Sequence, residues 1–198
     1  LNRFLILKSV LLLSIFAAPP AFADELDDLM EQARERGKYY DRIRTIINTE
    51  PDQNVRLAAF DLMVQSEDPH VKSIAIEAGL ASTDHLLQAA AFKLAIFDLE
   101  EIYMTLKSAE SSGKKKPDYV LRFENDYANQ WVIKVLNKDY QKGTFQGGND
   151  YGEFNGLTLN YNNDYWKVRG ILKLIDGDRI EGFLYVQGYK LLANGKIR

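Results

Sequence analysis

The sequence predicts an α+β protein: an N-terminal short antiparallel α-helical repeat stack followed by an antiparallel β-meander that forms a sandwich or small barrel. Three observations predict it. Asp52, Asp68 and Asp84 recur at a spacing of 16, and Val55/Val71/Leu87, Ala59/Ala75/Ala91 and Phe60/Ile76/Phe92 keep the same step. After Pro117 the apolar period changes from helical to alternating. Turn residues then punctuate the chain to its end.

The chain opens on a segment set apart from the fold. Arg3 and Lys8 flank the start of an apolar run through Val10–Ala18, Pro19-Pro20 breaks it, and Ala21-Phe22-Ala23 supplies a small-x-small pattern before Asp24. That arrangement predicts a secretory signal peptide over 1–23, cleaved after Ala23. An uncleaved anchor fits less well, because the apolar run falls short of the ~20 residues a bilayer requires. Leu1 in place of Met suggests a bacterial gene with a non-AUG start.

A helical repeat domain is expected over 24–110. Leu26, Leu29, Met30 and Ala33, continued by Tyr40, Ile43 and Ile47, mark the inner face of a first helix. Each repeat Asp then serves as an N-cap, its carboxylate accepting a free backbone N–H of the first turn. Val55, Ala58, Ala59 and Leu62 fall on one helical face, and Val71, Ile74, Ala75 and Ala78 repeat it. Pro69 sits in the first turn, where a missing N–H costs little. The 16-residue step leaves about 12 helical residues and a three- or four-residue turn, which forces neighbours antiparallel. In the third unit Phe92, Ile96, Leu99, Tyr103 and Leu106 form a second stripe. It predicts one long helix from Asp84 to Lys107, buried on two sides, with the β half docked on it.

Asp52-Gln-Asn-Val55-Arg56-Leu-Ala58-Ala59 and Asp68-Pro69-His-Val71-Lys72-Ser-Ile-Ala75 resemble the HEAT-repeat signature, an Asp/Pro turn followed by Val-Arg and Ala. The resemblance covers about 52–97 and recurs at half the usual two-helix period. It implies an interaction scaffold, since HEAT-like proteins mostly bind other proteins. A plain bundle of duplicated helices is the alternative.

A charged linker is expected at 111–117, where Gly113, Lys114-Lys115-Lys116 and Pro117 end any helix. An antiparallel β domain then fills 118–198. Tyr119, Leu121 and Phe123 alternate with Val120, Arg122 and Glu124, as do Trp131, Ile133 and Val135 with their neighbours, and Leu157, Leu159 and Tyr161 with theirs. Turns are expected at Asn125-Asp126, Asn137–Asp139, Gly147–Asp150, Asn162–Asp164, Asp176-Gly177 and Asn194-Gly195.

The chemical inventory is narrow. The chain has no cysteine, which removes thiol nucleophiles and disulfides, and its two histidines are His70 and His85. An Asp68–His70–Asp84–His85 metal site is disfavoured, because antiparallel helices place those starts roughly 18 Å apart. Asp176–Glu181 lacks the spacing of an EF-hand loop and reads as a turn. Carboxylate pairs such as Glu100-Glu101 or Asp150 with Glu153 fit a glycosidase scheme only nonspecifically. No catalytic residue, metal ligand or cofactor is assigned. Without Arg3 and Lys8, Lys plus Arg falls from 25 to 23 against 28 acids, a net charge of about −5, which disfavours nucleic acid as partner.

Aromatic residues supply the candidate ligand-binding set: Tyr151, Tyr161, Tyr165, Lys167 and Arg169, around the hairpin tip that also carries Trp166. Trp131 and Trp166 are assigned to the core by strand parity. The function expected is an exported, periplasmic or secreted, non-enzymatic binding or assembly factor of the bacterial envelope with a protein partner. A lipocalin-like or glycan- and small-ligand-binding β domain is the second reading, and a carboxylate-dependent hydrolase the third. No membrane span is expected after signal cleavage.

Overall fold

The computed structural model describes residues 20–109 and 116–197, with side chains from residue 25 onward. The expected signal segment up to Pro19 and most of the expected linker lie outside the described residues. The chain divides into two compact units, the first ending at Tyr39 and the second running from Tyr40. Among the described residues no helix is long and apolar enough to cross a membrane.

The fold is α+β, with the helices α1 (Pro20–Thr49), α2 (Gln53–Val64), α3 (Pro69–Leu80) and α4 (His85–Phe97) preceding an eight-stranded antiparallel sheet. Asp52, Asp68 and Asp84 are the N-caps of α2, α3 and α4, each accepting from the backbone N–H two residues on. Their side chains also show the direction of each helix. Gln53 and Arg56 at the start of α2 reach Asp84 at the start of α4, at 3.1 and 2.7 Å. Lys72 near the start of α3 pairs instead with Asp98 at the end of α4, at 2.7 Å. Successive helices therefore alternate in direction, as turns this short require. Gly79 lets α3 approach α4, since a Cβ there would sit 2.7 Å from that of Ala91.

Three expectations are corrected here. The long helix to Lys107 stops at Phe97, and Glu101–Ser108 is strand β1. Ile102, Met104 and Leu106 alternate inward, and β1 is held between β8 (Tyr189–Lys196) and β2 (Trp131–Lys134). Sheet pairing on both edges outweighs an apolar spacing that also suits a helix. Second, Tyr119, Leu121 and Phe123 do not form a strand. They belong to α5 (Asp118–Tyr127), in which Val120 and Phe123 are buried and Tyr127 half-buried, at spacings of three and four. Pro117 at its N-cap presets the helix entry. Asn125-Asp126 thus lies in a helix, and Asn194-Gly195 lies inside β8 rather than in a turn. Third, the inner face expected for α1 is buried only at its far end. Ile43 and Ile47 join the core, while Leu26, Leu29 and Met30 are exposed.

The remaining strands are β3 (Thr144–Gly147), β4 (Asp150–Asn155), β5 (Thr158–Asn163), β6 (Val168–Asp176) and β7 (Arg179–Val186), in the order β2-β1-β8-β7-β6-β5-β4-β3. The two end strands curl round to meet, so the sheet is nearly closed. Gln146 N–H donates to the Leu136 carbonyl at 3.0 Å, and Lys134 N–H donates to Asp150 Oδ2 at 2.9 Å. Gly147 is required at this seam, because a Cβ would strike the Lys134 carbonyl.

Helices close both ends of the barrel. At the Leu159 end of β5, Phe154 packs edge-on against Phe92 and Phe97 of α4, with centroids 5.4 Å apart in each pair. At the Asn163 end, Phe123 and Tyr127 of α5 pack on Trp131 and Trp166 at 5.0 to 5.7 Å. One hydrophobic core runs from Ile43 and Ile47 through α2–α4 into the barrel. The β half is docked on the last repeat helix as expected, through Phe92 and Phe97 on Phe154, but Tyr103 of the expected stripe lies on β1 and is 52% exposed.

Candidate functional site

The barrel interior is filled. Ile133, Phe145, Leu159, Val168, Leu172, Ile180, Leu184 and Leu191 are buried there by strand parity. Among them sits a polar cluster on Asp150. Its Oδ1 accepts from the Tyr161 hydroxyl at 2.7 Å and from Asn163 Nδ2 at 2.6 Å, while Oδ2 holds the seam. Trp131 Nε1–H donates to the Tyr161 oxygen at 3.2 Å. Burial, then the neighbouring Asp150 charge and hydrogen bond, push the Tyr161 hydroxyl well above the ordinary tyrosine range. Among the described residues every buried side-chain polar atom has a partner. This cluster is a structural network in which each buried side-chain polar atom already has a partner within the chain.

Strand pairing builds a different arrangement on the outer face. Register places Gln146 beside Tyr151, Tyr151 beside Asn162, Asn162 beside Arg169, Arg169 beside Tyr185, and Tyr185 beside Lys190. Directly paired residues point to the same side, so these side chains form one row from β3 to β8, about 24 Å long at the usual strand spacing. The next row along the strands is Glu153, Asn160, Ile171, Phe183 and Leu192. Its apolar centre is solvent-facing, Ile171 at 54% and Leu192 at 38% exposure. Lys190 Nζ lies 3.5 Å from the centroid of the Phe183 ring, a cation–π contact that ties the two rows together. Between them runs a groove of about 460 Å³ lined by Asn160, Asn162, Asp164, Arg169, Ile171 and Tyr185, with Tyr161 and Gly170 also bordering it.

Charges of both signs stand on this face. Among the described residues Lys167, Arg169 and Lys190 join no ion pair, and neither do Glu153 of the second row and Asp164 of the groove.

The five residues singled out in the sequence are divided between these settings. Tyr151 and Arg169 stand in the outer row. Tyr165, 70% exposed, and Lys167, at φ 53°, lie in the turn joining β5 to β6, where Asn163 Oδ1 accepts the Trp166 N–H. Tyr161 is turned inward and its hydroxyl is spent on Asp150 and Trp131, so its side chain is not on the binding surface. Trp131 is buried and Trp166 half-buried.

Asn162, Phe183, Tyr185 and Lys190 belong to the surface and were not singled out. One signal points to them. Gln187 and Gly188, both at positive φ, make a two-residue turn, which fixes the Val186–Tyr189 pair and places Tyr185 opposite Lys190.

Asp150 and Glu153 lie on opposite faces of β4, one buried and one exposed, so they cannot flank a common bond. Among the described residues no three His, Asp or Glu side chains group to hold a metal. No protein-family model matches the chain, and no curated protein or solved structure matches it significantly.

Proposed function

We propose that the chain is a non-enzymatic binding or assembly factor of the bacterial envelope, exported by its N-terminal signal segment. Its partner-facing surface is the outer face of β4 to β8, and its partner is a protein that presents acidic side chains around an apolar contact. The row Tyr151–Asn162–Arg169–Tyr185–Lys190 carries the reading. Alternating tyrosine and cationic side chains, beside an exposed Ile171–Phe183–Leu192 centre, make the kind of surface on which binding energy concentrates. The filled interior and its two helical plugs direct recognition to the outside.

The test compares wild type with R169E/K190E, which inverts the patch without touching the core. Captured from a periplasmic extract under matched conditions, one partner should bind wild type, weaken with added salt and be lost from the variant. Equal capture by the two proteins removes this surface from the function.

The groove beside the row favours a second reading, a glycan or small ligand held against Tyr185 by Asn160, Asn162 and Arg169. Calorimetry with envelope oligosaccharides distinguishes it, since that affinity would be nearly independent of salt.

A further inference from the structure

The part of α1 in the first unit carries an apolar stripe that is open to solvent. Leu26, Leu29 and Met30 are 59%, 56% and 47% exposed. Leu26, Met30, Ala33 and Gly37 follow one another at steps of 4, 3 and 4 residues, the seam spacing of a two-helix coiled coil. Gly37 is the telling member. Glycine in a helix interior weakens the helix, yet a Cβ built at Gly37 would meet nothing within 4 Å. Among the described residues, therefore, the chain's own packing does not require the missing side chain.

We infer that this stripe is a self-association surface on which a second copy of the chain pairs antiparallel. The sizes fit only that direction. Antiparallel pairing sets Leu26 against Gly37 of the other copy and Met30 against its Ala33, large on small at every layer. Parallel pairing sets Leu26 on Leu26 and Gly37 on Gly37, a bulge beside a hole. The charges agree. Glu25–Glu31 holds four acidic residues and no basic one, whereas Arg34–Lys38 holds three basic and one acidic. Asp27 and Arg34 flank the seam on one side, so antiparallel pairing brings them together twice by symmetry. Arg34 meets Glu31 of its own chain only as an exposed pair at 3.4 Å, which offers little competition.

The test is sedimentation of the purified chain over a concentration series. A reversible dimer is expected, and a monomer persisting to millimolar concentration overturns the inference. G37L keeps the helix, because the added side chain has open space and leucine favours helices, but it fills the hole that Leu26 requires. Its dimer dissociation constant should rise at least about tenfold, and an unchanged constant overturns the inference. D27R and R34D should each weaken the dimer, and D27R/R34D should restore it; a double variant as weak as the singles excludes the antiparallel register.

The chain has no cysteine of its own, so introduced thiols report orientation cleanly. Oxidation should cross-link a mixture of L26C and G37C chains while leaving each variant alone uncross-linked. Cross-linking of each alone means parallel pairing and overturns the inference.

Discussion

Tyr161 donates its hydroxyl to Asp150 Oδ1 at 2.7 Å inside the barrel, while the other oxygen of that carboxylate accepts Lys134 N–H across the seam. One buried acid thereby joins β5 to the meeting point of β2 and β4. Its two oxygens accept from three donors. D150N turns one acceptor into a donor facing donors, and should cost about 2–3 kcal/mol. Y161F removes one donor and should cost about 1–2 kcal/mol. Urea denaturation at neutral pH measures both, and a D150N protein as stable as wild type would show that the seam does not depend on this charge.

The same pair predicts alkaline sensitivity. The fold raises the Tyr161 pKa above its ordinary value near 10.0, by burial first and the Asp150 charge second. A raised pKa contributes stability that is complete below the unfolded value and is lost as pH climbs beyond it. Stability should fall above pH ~10, with this group adding up to about 1.4 kcal/mol per pH unit. Y161F should show a shallower fall. Denaturant midpoints between about pH 8 and pH 11 decide it.

At the other end of the pH scale the controlling pair is Arg56 and Asp84. Their ion pair is 2.7 Å long, with side chains 17% and 8% exposed. The Arg56 hydrogen bond, helped by Gln53 and two backbone N–H groups against the cost of burial, lowers the Asp84 pKa from 3.8 to about 2. A lowered pKa contributes stability present above the unfolded value and lost as pH falls through the folded one. R56M should cost about 1–2 kcal/mol at pH 7, with solvent screening counted, and less below pH ~2, where of its partners only the Glu50 and Pro51 carbonyls still hold Arg56 as at neutral pH. Thermal unfolding at the two pH values checks the difference.

Phe154 joins the helical stack to the barrel through Phe92 and Phe97. F154A should destabilise by about 3 kcal/mol, the usual cost of emptying an aromatic site. Amide exchange should quicken first in α4 and at β4. Faster exchange confined to β6–β8 would place the coupling elsewhere.

On the outer face the expectation is the opposite. R169A and Y185A remove solvent-exposed side chains and should each change stability by less than about 0.5 kcal/mol, and K190A, which also loses the contact with Phe183, by less than about 1 kcal/mol. Melting curves that coincide with wild type make any loss of binding attributable to the surface itself.

The helix caps were legible because N-capping is local: a carboxylate, a free N–H two residues on and an apolar period suffice, and Asp52, Asp68 and Asp84 supply all three. Strand parity likewise put Arg169 on the wet side, whereas Trp166, assigned to the core by the same parity, lies half-buried in the turn before β6. Other segments carried two periods at once. In Glu101–Ser108, Ile102, Met104 and Leu106 suit a strand, while Leu99, Tyr103 and Leu106 continue the stripe of α4. Only pairing with β8 and β2 selects the first. In Asp118–Tyr127 the alternation of Tyr119, Leu121 and Phe123 competes with the helical spacing of Val120, Phe123 and Tyr127, and a segment with no partner strand folds as the helix.

By itself, then, the chain's sequence determined the class of fold, the alternating repeat helices with their caps, and the meander that follows. Tertiary structure decided that Tyr161 turns inward to Asp150, that the barrel is filled and plugged at both ends, and that Tyr151, Asn162, Arg169, Tyr185 and Lys190 stand in one row. The physical reason is range. Caps, turns and periodicity act within a few residues of the chain, whereas a row across five strands exists only once hydrogen-bonded register has aligned segments far apart in sequence.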